Sequence, residues 1–89
     1  MIIEFHDDYE KISRKEVKDE RVFSVVKRKF DLLKFQGIRY PSLRAKKLQN
    51  INHEKEELWE FYIIKKWRCF FTYNEEEDRI IVIKISNHL

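Results

Sequence analysis

Between Asp19 and Gly37 the apolar residues recur every three or four positions. Val22, Phe23, Val26, Phe30 and Leu33 form a stripe, widened by Val25 and Leu32, which is the period of a helix that buries one face. Lys27, Arg28, Lys29 and Lys34 largely face away from it. The helix starts near Asp19-Glu20, where acids suit the positive end of the helix dipole. It stops at Gly37, the only glycine, placed where a left-handed cap is wanted. Pro41, the only proline, prevents a restart.

The spacing changes after that. Leu58 to Tyr73 is dominated by β-branched and aromatic residues and holds both tryptophans, a composition that suits strands packed on a core. Two lysines interrupt the run, so it reads as a hairpin. Loop length decides which residues share a face, because the side-chain period of a strand is two. A two- or four-residue loop puts Glu60 with Trp67, Cys69, Phe71 and Tyr73, which buries a carboxylate. A three-residue loop, Ile64-Lys65-Lys66, sets Tyr62 opposite Arg68. Trp59, Phe61, Ile63, Trp67, Cys69, Phe71 and Tyr73 then share the apolar face. Glu60, Tyr62 and Arg68 lie together on the other. The sequence also lacks the Asn-Gly or Gly-X signal of a two-residue turn, so the odd loop is expected.

The remaining elements follow in outline. Met1 to Phe5 reads as a short strand. Asp7 or Asp8 is placed to cap a helix running to about Lys15. Ser42 to Leu48 reads as a short extended segment whose lysines suit a sheet edge, and Gln49 to Glu57 as a polar loop. Asn74 to Asp78 is an acidic turn. Arg79 to Ser86 is a nearly continuous apolar run, as in a central strand buried on both sides. Simple alternation puts Ile81, Ile83 and Ile85 on one face and Ile80, Val82, Lys84, Ser86 and His88 on the other.

At 89 residues with 43% hydrophobic and 15% aromatic content, residues 1–89 are expected to form a single globular domain. No apolar run is long enough to cross a bilayer, and Met1 to Glu4 lacks the basic-then-apolar order of a secretory leader. The single cysteine, Cys69, falls on the apolar face and suits a reducing cytoplasm. His6, His53 and His88 are scattered, without metal-ligand spacing; no metal and no cofactor is expected, and His53 reads as plain surface.

Charge sharpens the picture. The net charge is +3, but residues 11–47 carry thirteen bases and four acids, a local +9. One reading is a solvated helix face; the other is a surface for nucleic-acid phosphates.

The order strand, two helices, then antiparallel strands is an α+β layer design. In detail it resembles the RelE/ParE superfamily of toxin–antitoxin toxins, in particular its RelE/HigB-like members. Leu43-Arg44-Ala45-Lys46-Lys47-Leu48 is similar to the family's Lys-Leu segment after the second helix. Leu58-Trp59-Glu60-Phe61 is similar to its Leu-Trp strand opening. Trp67-Arg68 with Tyr73 resembles its Tyr-Arg strand, with Trp67 in place of the aromatic residue. Ile85-Ser86-Asn87-His88 occupies the place of the closing strand and its terminal basic or histidine residue. The resemblance covers nearly the whole chain. It implies an N-terminal strand and two helices packed on one face of a mainly antiparallel sheet of four to five strands, with a basic concave face opposite. In the RelE branch that face acts on mRNA in the ribosomal A site; in the ParE branch the scaffold inhibits DNA gyrase.

Cleavage of RNA by its own 2′-hydroxyl needs a base, a cation for the phosphorane and an acid for the leaving oxygen. Arg68 is the candidate cation: its fork matches a phosphate and stays charged, and it falls on the family's arginine. A structural arginine covering the sheet is the competing reading. His88 is the candidate acid or base, since histidine titrates near neutrality; a frayed terminus competes. Glu60 is a candidate base or an ion-pair partner of Arg68. Tyr62 is placed to stack a base or donate a proton. Lys84, Lys46, Lys47 and Arg44 are the candidate RNA contacts. The hairpin lacks the dense lysines of some ribosome-dependent members. The expected function is an mRNA endoribonuclease toxin without a metal or small-molecule cofactor. The expected partners are mRNA, the ribosome and a cognate acidic antitoxin, and no membrane. Alternatives are a non-enzymatic gyrase inhibitor and a degenerate module that only binds its antitoxin.

Overall fold

The computed structural model describes residues 1–54 and 56–88. In chain order the elements are β1 (Ile2–Phe5), α1 (Tyr9–Glu16), α2 (Glu20–Gln36), a short 3-10 turn (Pro41–Leu43), β2 (Lys46–His53), β3 (Glu56–Tyr62), β4 (Arg68–Asn74) and β5 (Arg79–Ser86). The strands form one mixed sheet in the order β1-β5-β4-β3-β2. β1 joins β5 in parallel; the other pairings are antiparallel. This is the expected α+β layer design at five strands.

Both helices pack on one side of the sheet. Tyr9 and Val17 at the ends of α1, and Val22, Phe23, Val26 and Leu33 of α2, join Phe61, Ile63, Cys69, Phe71, Ile80, Val82 and Ile85 in one core. Burial pushes the Cys69 thiol pKa up, which leaves it an inert core residue. Ser13 of α1 is fully buried. Its hydroxyl accepts the Ile85 N–H at 2.9 Å, so a side chain from the helix completes the backbone of the strand beneath.

The α2 boundaries are as expected. Asp19 accepts the Arg21 N–H at its N-terminus. Gly37 closes the helix at φ 85°, ψ 174°, a backbone conformation essentially reserved for glycine, though not the left-handed helical one. At α1 the capping expectation fails. Asp8 occupies the cap position but its side chain makes no cap hydrogen bond; instead its N–H donates to His6 Nδ1.

The hairpin register is the odd one. Tyr62 pairs with Arg68, Phe61 with Cys69 and Trp59 with Phe71. Ile63 N–H donates to Trp67 O and Trp67 N–H to Ile64 O, with Lys65 at positive φ.

Two expectations need correction. Ser42 and Leu43 belong to the 3-10 turn, and the region read as a polar loop is mostly strand: β2 runs on to His53 and β3 starts at Glu56, while Lys55 lies outside the described residues. Polar side chains hid this strand because β2 is an edge with an irregular register between Lys47 and Asn52. In β5 the alternation breaks. Phe70 pairs with Lys84 but Phe71 with Val82, leaving Ile83 as an extra residue. A bulge of this kind shifts the side-chain phase. Ile80, Val82 and Ile85 therefore all reach the core, rather than Ile85 joining Ile81 and Ile83.

Candidate nucleic-acid interface on the open face

The hairpin register carries a row of side chains across the face away from the helices. Lys46 of β2 pairs with Glu60 of β3, Glu60 with Phe70 of β4, and Phe70 with Lys84 of β5. In the next row Tyr62 pairs with Arg68, and Arg68 with Ser86. Glu60 is only 7% exposed. One of its oxygens, Oε1, lies 3.4 Å from Lys46 Nζ and 3.5 Å from Arg68 Nε. A nearly buried carboxylate is tolerated when paired, and here one carboxylate fixes two cations.

Arg44 comes from the turn before β2. It takes a left-handed conformation at φ 50°, and its guanidinium lies 5.3 Å from the centre of the Tyr62 ring, within cation–π range. Lys29, half-buried on α2, supports that turn: its ammonium donates to the Ser42 carbonyl at 3.0 Å. Burial, and then the Arg44 charge, lower its pKa. Nothing in the helical pattern marks Lys29 as distinct from its neighbours. On the other flank the Lys84 ammonium stands 5.7 Å from the Phe70 ring.

Arg44, Lys46, Glu60, Tyr62 and Arg68 line a cleft of about 170 Å³. Pockets that enclose small-molecule ligands are larger, roughly 300–1,000 Å³. A small open cleft with three cations, one carboxylate and an aromatic ring fits a segment of a polymer: a phosphate against the cations and a base against the ring. A larger depression, about 530 Å³, lies elsewhere, between α1, α2 and the end of β1, and its lining includes Phe5, Tyr9, Phe23, Val26 and Phe30.

Of the residues singled out from sequence, Arg68, Glu60, Tyr62, Lys46 and Arg44 come together in the cleft, with Lys84 at the far end of the Lys46–Glu60–Phe70 row. Lys47 does not. It pairs with Trp59, whose ring packs against the core, and its ammonium lies 2.7 Å from Glu57 Oε2. Hydrogen bonds from Lys47 and then from the Trp59 indole hold the Glu57 carboxyl below its ordinary pKa. His88 stands apart as well. Its ring is 70% exposed and sits 4.0 Å from Glu16 of α1, with Nδ1 2.6 Å from Asn87 Oδ1. Its backbone N–H donates to Ser86 Oγ, whose hydroxyl donates to Glu16 Oε2 at 2.8 Å.

The basic 11–47 block is two surfaces. Arg44 and Lys46 reach the open face, while the bases of α1 and α2 lie on the helical layer. Some of these are paired: Arg14 with Glu10 and Glu20, and Arg21 with Asp19.

The histidines supply what sequence reading missed. His53 is the last residue of β2, not a loop residue, and its ring centre lies 5.8 Å from that of His6. The exposed Glu54 carboxylate is 3.7 Å from His53 Nε2 and 4.0 Å from His6 Nε2. No sequence signal joins residues so far apart.

By sequence alone the chain matches no protein-family profile and no curated protein. The fold does find likenesses among solved structures. It superposes on the archaeal RelE–RelB complex structure from Pyrococcus horikoshii OT3 with a TM-score of 0.68 at 14% identity, covering 96% of this chain and 91% of that one. It superposes on a metal-bound toxin from Helicobacter pylori with a TM-score of 0.63 at 14% identity, covering 99% and 94%. The fold is therefore RelE-like over nearly the whole chain, as the sequence resemblance implies.

Proposed function

We propose that this chain is the toxin of a toxin–antitoxin pair and that it acts as an mRNA endoribonuclease. The observation that carries the reading is the Lys46–Glu60–Arg68 constellation: one nearly buried carboxylate fixing two cations at the floor of a cleft beside Tyr62. The RelE-like fold supports it.

In this reading Arg68 binds the scissile phosphate and stabilises the charge that grows on it as the 2′-hydroxyl attacks. Lys46 and Lys84 hold the flanking phosphates as point charges. Tyr62, backed by Arg44, stacks a base. Glu60 orients the cations and is the nearest carboxylate to take the 2′ proton. His88 protonates the leaving oxygen after its ring turns from Glu16 toward the Arg68 row, a movement its exposure permits. A cognate acidic antitoxin neutralises the protein by pairing an extended segment with the β2 edge and laying a helix on the basic helical layer. The ribosome presents the message.

One observation favours a second reading. The imidazole of His88 faces α1 and not the cleft, which suits a binder without catalysis, such as a gyrase inhibitor. Inducing the isolated gene, following growth and mapping message 5′ ends decides between them. The nuclease reading expects growth arrest with new 5′ ends, lost in Arg68→Ala. Arrest with altered DNA supercoiling and intact messages overturns it in favour of the gyrase reading. Unimpaired growth overturns both.

A further inference from the structure

We infer that His6, His53 and Glu54 form a binding site for a divalent transition-metal ion of the zinc class, clamping the end of β2 to the end of β1. The three residues each offer one donor atom, and these atoms all lie within 4.8 Å of one another. None of the three lines the Arg68 cleft, so the site is separate from the proposed RNA surface.

The donor set selects the ion. Two imidazoles with one carboxylate suit zinc and its neighbours, whereas magnesium and calcium take oxygen ligands. Donors on a tetrahedral zinc centre stand roughly 3.4 Å apart, given bond lengths near 2.0–2.2 Å. The two contacts to Glu54 Oε1, 3.7 and 4.0 Å, need to close by only a few tenths of an ångström. The carboxylate side chain is 73% exposed and free to move that far. The imidazole rings stand edge to face, at 89°.

An independent observation points to a ligand here. His53 Nε2 is shielded from solvent yet has no hydrogen-bond partner among the described residues. A buried polar atom left unsatisfied is costly, and a metal ion gives this nitrogen its missing partner. Binding has a cost at His6. His6 Nδ1 now accepts the Asp8 N–H at 3.2 Å, a long bond. When a metal takes His6 Nε2, the ring proton moves to Nδ1 and that bond opens. The bond lost is a long one on an exposed turn, so the loss is small beside the bonds a metal forms.

The clamp has a structural logic. β1 and β2 are the two edges of the sheet, so no backbone ladder joins them. An ion held by His6 from one and by His53-Glu54 from the other ties the edges together.

The test titrates the chelator-treated full chain with zinc chloride by calorimetry, and with cobalt(II) by visible absorption. The expected result is one saturable ion per chain, with the absorption bands of a low-coordinate cobalt site. The Asp8 amide resonance shifts on binding as its bond to His6 opens. His53→Ala and Glu54→Gln each lower the affinity by at least about tenfold, since even outer contacts of a metal site are worth that much. His88→Ala leaves it unchanged. Circular dichroism checks folding. Should His53→Ala fail to fold, Glu54→Gln decides alone, because that side chain is exposed. Absence of saturable binding, affinity unmoved in the folded variants, or loss of binding in His88→Ala overturns the site.

Discussion

Arg68 meets Glu60 diagonally across the hairpin, guanidinium Nε to carboxylate Oε1 at 3.5 Å. The diagonal exists because a three-residue loop sets Tyr62, not Glu60, opposite Arg68. The carboxylate is nearly buried while the guanidinium is 42% exposed. One end of the pair is thus fixed and the other presented to solvent, the arrangement an anion-binding arginine needs.

Arg68→Ala is expected to lower message cleavage by about a hundredfold or more, because a preorganised cation acts chiefly on the transition state. Stability should fall by only about 1 kcal/mol, since Arg68 is half exposed and Lys46 still pairs with Glu60. Arg68→Lys recovers part of the rate, as an ammonium lacks the planar fork. Cleavage rates beside urea denaturation curves check both. A folded Arg68→Ala protein cleaving at the parental rate removes Arg68 from the mechanism.

The two faces of the sheet separate two lysines that adjoin in sequence. Lys46→Ala or Lys84→Ala should each reduce the dependence of log affinity on log salt by about 0.7 for single-stranded RNA, one phosphate contact apiece. Lys47→Ala should leave that slope unchanged, because its ammonium is engaged by Glu57 away from the cleft. RNA binding across a salt series measures this. Equal slopes for all three variants would place the RNA elsewhere.

Ser13→Ala is expected to destabilise the fold by roughly 1–3 kcal/mol. It removes the acceptor of the Ile85 N–H and leaves a buried donor unsatisfied. Because Ile85 lies in the closing strand, amide exchange at that residue should rise with the loss of stability. Denaturation and hydrogen exchange test the pair of outcomes.

Asp19 gives a pH signature. The Arg21 backbone N–H, first of several causes, holds its carboxyl below the ordinary value of 3.8. A carboxyl depressed in the folded state binds its proton more tightly in the unfolded chain. Its contribution is complete above the unfolded pKa and fades as the pH falls through the folded one. Asp19→Ala should therefore lower the melting temperature at neutral pH and narrow the gap to wild type in strong acid. A gap that stays constant from neutral pH to below pH 3 would show that the cap charge contributes nothing.

What the sequence determined by itself is what short-range pattern and polarity can dictate. The α2 stripe with its cap at Asp19 and its stop at Gly37 is local chemistry. The hairpin register follows from the cost of placing Glu60 without a partner on the apolar face; Glu60 is buried all the same, but on the opposite face, where Lys46 and Arg68 pair with it. That register alone brings Glu60, Tyr62 and Arg68 to one face. Tertiary structure decided the rest, where neighbouring strands overrule local pattern. The extra residue at Ile83 is set by pairing with β4, so an unbroken apolar run could not reveal that Ile85 turns to the core. β2 is polar because it is an edge, and only pairing with β3 makes it a strand. The direction His88 takes in this structure follows contacts with Glu16 and Ser86, from two different elements. The meeting of His6 with His53 and Glu54 depends on how the two sheet edges come together. Contacts between residues distant in the chain leave no period or spacing for a sequence to display.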